Sequence, residues 1–153
     1  MGLESSWVDI FGLFVLLSGF VVGLGAVTVI DIHGFLGRKS SYWIEATTRT
    51  HKVTKPMIWV GIILAILGGL IFYRNDGFSD TPLLHAGIAV ALILNGLYLS
   101  LRISPYMITR EKEGRSGELI PMAQQKKVIA SLIVSDVLWW GALLLLSFYL
   151  IQN

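Results

Sequence analysis

The chain has 153 residues, of which 54% are hydrophobic and 14% are charged. An ordinary soluble domain carries about 25% charged residues, so this composition, with a mean hydropathy of +0.70, excludes that class. The absence of cysteine excludes disulfides, Cys-ligated zinc, iron–sulfur clusters and thiol catalysis. We therefore expect one integral membrane domain that covers residues 1–153.

Four long apolar runs predict membrane-spanning helices. About 20 helical residues cross a hydrocarbon core of about 30 Å, and each run approaches or exceeds that length. Backbone amides in lipid must be satisfied within their own segment, so each run is expected to be a helix. The predicted spans are residues 7–33, 57–73, 82–103 and 128–151. The sequence thus predicts an all-α, four-helix membrane bundle; two spans with two buried helices are the alternative.

The first polar break, residues 34–56, predicts a short amphipathic helix at the membrane interface. Apolar and threonine side chains share one face of a helical wheel that starts at Trp43, and charged side chains share the other. Tyr42 and Trp43 suit the headgroup level. The second break, residues 104–127, shows no such face and predicts a solvated loop.

The basic residues predict the orientation. Eleven of the twelve Lys and Arg residues lie in the two polar breaks or at the end of the third helix, and Arg74 is the exception. The positive-inside rule therefore places both breaks in the cytoplasm and both termini outside, in a bacterial cytoplasmic (inner) membrane. We expect these basic loops to meet anionic lipid headgroups and not nucleic acid.

Small residues at four-residue spacing recur in every predicted helix. Such seams let helices approach closely in lipid, either within one chain or against a partner. They predict a compact bundle, a homo-oligomer or a membrane-protein partner. The seams are Gly19 and Gly23 in helix one, Gly61, Ala65 and Gly69 in helix two, Gly87, Ala91 and Asn95 in helix three, and Ser131 and Ser135 in helix four.

Three polar residues fall inside the predicted spans or at their ends. Asp136 lies about nine residues into the fourth helix, or ~13 Å from its cytoplasmic end, and Asn95 has nearly the same depth. Asp31 lies near the end of the first helix. A carboxylate at such depth faces the bundle, a cavity or a partner. One interpretation is an Asp136–Asn95 hydrogen bond that sets helix register, and the other is a proton or cation relay in a small transporter.

Histidine and methionine side chains at the same predicted boundary suggest a cofactor. His33 ends the first helix and His51 flanks the apolar face of the interfacial segment, with Met57 and Met107 at similar depth. Two histidines with methionines are possible ligands of haem iron or copper. The alternative is that His33 simply caps its helix.

The chain has four predicted spans and a histidine, His33, at the end of the first span. In this architecture it resembles small bacterial membrane proteins of the copper-resistance-D and haem-dependent protoporphyrinogen oxidase type. This resemblance covers architecture, carries no catalytic role to any residue, and implies b-type haem. The sequence hypothesis is therefore a small inner-membrane protein that binds b-type haem or a metal at its cytoplasmic face. A non-enzymatic subunit or scaffold that packs with partner helices, or a transporter using Asp136 and Asn95, is the alternative. Whether the protein is an enzyme stays open.

Overall fold

A computed structural model describes residues 6–77 and 79–152 of the chain. All regular structure within these ranges is helical, which confirms the predicted all-α class. The elements are α1 (Trp7–Leu36), α2 (Ser41–Phe72), α3 (Asp80–Tyr98), a π-helical turn (Leu99–Ile103), α4 (Ser104–Lys112) and α5 (Met122–Gln152). By length and composition, four helical stretches of the described chain suit a membrane span: Trp7–Leu36, Ser41–Phe72, Asp80–Lys112 and Met122–Gln152.

The segment predicted as a separate interfacial helix is the first part of α2. The helix begins after Ser40, whose hydroxyl accepts a hydrogen bond from the Trp43 amide, and continues through Pro56 to Phe72. Proline removes one backbone donor and does not have to end a helix when the flanking turns are well formed. The predicted interfacial segment is therefore continuous with the predicted second span.

The third span also extends beyond its predicted end. The sequence favours a stop at Ser104-Pro105, whereas the chain passes through the π-helical turn directly into α4. The wider π-helical turn accommodates the missing Pro105 amide and its bulky ring, which would disturb a regular α-helix. The predicted loop 104–127 is thus helical at both ends, since α5 starts at Met122.

α1 and α2 pack with their backbones in contact. A Cβ added to Gly68 would lie 2.2 Å from the Leu16 amide nitrogen, and one added to Gly61 would lie 2.4 Å from the Gly23 Cα. Only glycine fits at these positions. The predicted seams meet at Gly61 and Gly23 and at Ala65 and Gly19, but further along α2 the contact is made by Gly68 and not by the predicted Gly69, which has nothing within 4 Å of an added Cβ. Gly87, by contrast, has nothing within 4 Å of its added Cβ in the described chain, so this end of the predicted α3 seam meets no neighbour there, whereas Asn95 at its other end contacts α5.

α3 is the most loosely packed span. Only 6% of the residues in its most apolar window are fully buried, compared with 44% for α1, and the others are partly buried or exposed. The core lies mainly between α1, α2 and α5, and α3 contributes Leu92. Its best-buried apolar side chains are Leu16, Phe20, Val27, Ile62, Trp139 and Leu146.

Candidate functional site

Both predicted basic segments lie at one end of the bundle, here called the basic end. The Lys52 ammonium contacts the Glu111 carboxylate at 2.7 Å, and the Gln125 amide donates to the Arg38 carbonyl at 3.4 Å. Arg74 lies at the opposite end, where it pairs with Asp9 near the start of α1. The contacts between the two segments make the basic end one connected surface.

A cavity of about 110 Å³, here called the inner cavity, opens inside the bundle towards the basic end. A water molecule occupies roughly 30 Å³ in the liquid, so this space suits a few waters or one small solute. Its polar lining residues include Asp31, His51, Lys55, Asn95, Gln125 and Ser135. The π-helical turn forms part of the wall, and such turns are frequent at functional sites.

A carboxyl pair adjoins the inner cavity. Asp31 is only 8% exposed and lies close to the Asp136 carboxyl group of α5. Two carboxylates this close to each other repel, so such a pair is a candidate site for binding a proton. The Asp31 Oδ2 atom is buried and has no hydrogen-bond partner among the described residues. Asp31 therefore brings a buried, unpaired oxygen to the wall of the inner cavity, beside a second carboxyl group.

The sequence suggested a hydrogen bond between Asp136 and Asn95, but in the structure each of these residues has a different neighbour. Asn95 donates to the Ser131 carbonyl at 3.0 Å and accepts from the Ser131 hydroxyl at 2.5 Å, which ties α3 to α5. Asp136 pairs instead with Asp31. Because α1 runs on to Leu36, Asp31 lies about 7 Å inside the helix and not at its end.

His51 and Lys55 occupy the α2 wall of the inner cavity, one helical turn apart. The His51 Nε2 atom is buried and has no partner within residues 6–77 and 79–152. The Lys55 ammonium donates to the Ser104 hydroxyl at 3.4 Å. The cavity thus brings together an acidic pair, an unpaired imidazole nitrogen and a lysine.

The four residues predicted to bind a cofactor are not gathered around one space. His51 and Met107 line the inner cavity, whereas the His33 ring packs on Trp43 with the ring centroids 5.2 Å apart, and Met57 is exposed. The described chain contains no group of three or more His, Asp or Glu residues placed to hold a metal ion. The inner cavity is also smaller than the ~300–1,000 Å³ of typical ligand sites. The geometry gives haem or metal binding no support.

A second and larger cavity, here called the outer cavity, lies between α2 and α3 towards the opposite end. Its volume is about 540 Å³, and its wall is mostly apolar. His85 and Tyr73 form its polar corner: the His85 Nε2 atom lies 2.9 Å from the Ala142 carbonyl, so it must donate. The Nδ1 atom is then the acceptor for the Tyr73 hydroxyl at 3.1 Å.

Three side chains, here called the septum, border both cavities: Ile62, Leu92 and Trp139. The Trp139 ring packs edge-on against Phe20 with centroids 5.9 Å apart, and its far edge lies 2.3 Å from the position of a Cβ on Gly23. Its side chain is 1% exposed, and its indole N–H has no acceptor in the described chain. The septum separates the inner from the outer cavity.

Trp139 and the Asp31–Asp136 pairing were not found from the sequence. Trp139 sits beside Trp140 in an apolar run, and nothing in the local pattern separates the buried ring from the exposed one. The spacing of Asp31 and Asp136 along the chain carries no information about their contact. Comparison with protein-family models, with curated protein sequences and with solved structures finds no match to this chain.

Proposed function

We propose that this chain is a small membrane transport protein in which the Asp31–Asp136 pair binds and releases a proton. The observation that carries this function is a carboxyl pair, one member almost fully buried, next to a cavity with polar walls. Ionisable groups inside a membrane are costly and usually mark proton or substrate pathways. An acidic pair that shares a proton can take up or lose charge when the cavity beside it gains or loses a solute.

Two cavities on either side of the septum support a path through the bundle. The inner cavity faces the basic end and the outer cavity lies towards Arg74, and among the described residues only Ile62, Leu92 and Trp139 are common to both. Transporters expose a central site to one side of the membrane at a time by moving one group of helices against another. The closely packed α1–α2 pair provides the rigid part, and the loosely packed α3 provides the part that moves.

The protein is proposed to lie in a bacterial cytoplasmic membrane with the basic end inside and both termini outside. The support is the concentration of eleven of the twelve Lys and Arg residues in the two segments that meet at that end and in the adjoining end of the third span, which holds Arg102. In this orientation the inner cavity opens to the cytoplasm, and the basic end contacts anionic lipid headgroups.

The test is proton movement across vesicles that contain the purified protein. A potassium gradient with valinomycin drives protons inwards, and a trapped pH-sensitive dye reports their entry. Wild-type vesicles are expected to acidify faster than empty ones, and Asp31→Asn and Asp136→Asn are each expected to slow this by at least tenfold. Asp80→Asn is the matched control, because Asp80 is exposed at the start of α3.

If proton flux needs a co-transported solute, vesicles without that solute would show no flux. Infrared spectroscopy of the same samples then tests the proton-binding site directly. A shared proton produces a carboxylic C=O band, which is expected in wild type and Asp80→Asn and is absent from Asp31→Asn. Acidification equal in wild-type, variant and empty vesicles, together with no such band, would remove the proposed function.

A non-enzymatic membrane subunit is the second candidate. It is favoured by the loose packing of α3: few residues of this span are fully buried, and its seam glycine Gly87 meets no neighbour among the described residues. A homo-oligomer or a partner helix that covers this face would give it a packing role. Haem or copper at His33 and His51 stays an untested prediction, and an absorption spectrum and elemental analysis of the purified protein check it.

A further inference from the structure

Hydrogen-bond donors with spare capacity reach the inner cavity from three helices. Lys55 of α2, Asn95 of α3 and Ser135 of α5 line this cavity and not the outer one. The Lys55 ammonium has three donor hydrogens and uses one on the Ser104 hydroxyl at 3.4 Å. The Asn95 amide has two and uses one on the Ser131 carbonyl at 3.0 Å. Lys55 and Asn95 are both partly exposed, so their remaining donors are open to a solute.

The Ser135 hydroxyl is a donor without a partner in residues 6–77 and 79–152. A helical serine can donate to the carbonyl four residues earlier, but the Ser131 carbonyl accepts the Asn95 amide instead. Ser135 is 7% exposed, and it lines the inner cavity. Its oxygen is not fully enclosed, in contrast to Asp31 Oδ2, so a solute in the cavity can reach it.

The charges on the wall of the inner cavity favour an anion. Arg38 and Lys55 line the cavity, and neither forms an ion pair in the described chain. The other titratable residues on this wall are Asp31, which has Asp136 as its neighbour, and His51. Two close carboxylates disfavour carrying two negative charges, so the two cations are not fully balanced.

The volume of the inner cavity limits the size of the solute. At roughly 30 Å³ for each water molecule, a space of about 110 Å³ holds three or four waters. A molecule of about that many non-hydrogen atoms therefore fits, and a sugar or a nucleotide does not.

We propose, building on the transport function above, that the inner cavity binds a small monovalent oxyanion of the size of formate. Its oxygen atoms accept hydrogen bonds from Lys55, Asn95 and Ser135. A proton on the Asp31–Asp136 pair removes the repulsion between that pair and the anion, so the anion and the proton occupy the cavity together. Lys55 selects for charge, because it brings an ammonium group to the binding site.

The test compares formate with formamide, which has the same number of non-hydrogen atoms and no charge. Radiolabelled formate is bound to the full-length protein in nanodiscs of zwitterionic lipid, and each unlabelled compound is added as a competitor. Wild type is expected to prefer formate by at least tenfold, the contribution of a hydrogen bond from a charged donor. Lys55→Met keeps most of the side-chain length without the charge and is expected to lose this preference.

Lys39→Met is the matched control for Lys55→Met. Lys39 is exposed near the same end of the bundle and is not part of the cavity wall. Its substitution is expected to leave the affinity for formate and the preference over formamide unchanged. An equal loss of formate binding in the two variants would mean that the anion is held by the general charge of the basic end, which would overturn the site.

Ser135→Ala keeps the test decisive if Lys55→Met does not fold. Because the hydroxyl has no partner in the described chain, its removal is expected to leave the unfolding free energy unchanged while weakening formate binding by about three- to tenfold. Ser147→Ala is the control in the same helix, since Ser147 is exposed and donates to the Leu143 carbonyl. It is expected to bind formate as wild type does.

Equal affinity of wild type for formate and formamide would overturn this assignment. Unchanged formate binding in Ser135→Ala or in folded Lys55→Met would do the same. The binding assay needs no proton gradient, so it is independent of the flux measurement. Failure of proton flux with the formate preference intact would remove the transport function alone, and proton flux without any formate preference would remove only the ligand class.

Discussion

The Trp139 ring of α5 lies 2.3 Å from the point where a side chain on Gly23 of α1 would begin. This contact fixes the depth of the septum, because the ring enters the groove that the glycine leaves open. α1 therefore supplies the close packing against α2 and also the space for the residue that separates the two cavities. The architecture and the proposed path through it depend on the same glycine.

Gly23→Ala is expected to destabilise the protein by about 1–3 kcal/mol, since the added methyl group overlaps the buried Trp139 ring, which cannot move away without strain. Gly25→Ala in the same helix meets nothing within 4 Å and is expected to be neutral or to stabilise by up to about 1 kcal/mol. Denaturant unfolding in detergent measures both. Equal effects of the two substitutions would show that the seam is not closely packed.

Asp31→Asn and Asp31→Leu are expected to differ in stability. The amide of Asn can still hydrogen-bond to Asp136, so the unfolding free energy should change by less than about 1 kcal/mol. Leu leaves the Asp136 carboxyl group without its partner and should cost about 1–3 kcal/mol. Thermal unfolding in detergent tests this, and the prediction fails if Leu is tolerated as well as Asn.

Asn95 and Ser131 are expected to be energetically coupled. Their two mutual hydrogen bonds are the polar link between α3 and α5 at this depth, and such bonds between membrane helices contribute roughly 0.6–1.7 kcal/mol. A double-mutant cycle with Asn95→Leu and Ser131→Ala measures the coupling. Strictly additive effects on the unfolding free energy would mean that the pair does not hold α3 in place.

Arg110 is expected to order the connection between α4 and α5. Its buried guanidinium donates to the Glu118 carbonyl at 2.6 Å and to the Arg115 carbonyl at 3.3 Å. Each bond from a charged donor contributes about 1.5–3 kcal/mol, so Arg110→Met should speed amide exchange of residues 113–120 at least tenfold.

Arg115→Met provides the matched comparison for the connection. Arg115 is exposed and pairs with Glu113, and exposed ion pairs contribute roughly 0–1 kcal/mol. Its loss should leave exchange of the same amides within a few-fold of wild type. Equal acceleration by the two substitutions would mean that the buried position of Arg110 has no special role.

The predicted helix boundaries near Pro105 and Pro56 differ from those in the structure. The run at residues 104–127 contains Pro105 and many charges and predicts a solvated loop, yet α4 forms there because the π-helical turn absorbs the proline. Arg110 then binds carbonyls five and eight residues further along the chain, which no short-range pattern indicates. Pro56 was expected near a helix boundary for the same reason and lies inside α2.

Composition and the length of the apolar runs determined the class of this protein: an all-α chain with four stretches suited to a membrane. Those properties are local, since hydrophobic length and backbone hydrogen bonding depend on each segment alone. The polar residues inside the spans were also identifiable, because a charge in an apolar run stands out. Only the tertiary structure decided that Asp31 pairs with Asp136, that Asn95 pairs with Ser131, and that Trp139 separates two cavities. These contacts join residues from different helices, and they depend on how the helices rotate and how deeply they lie against one another.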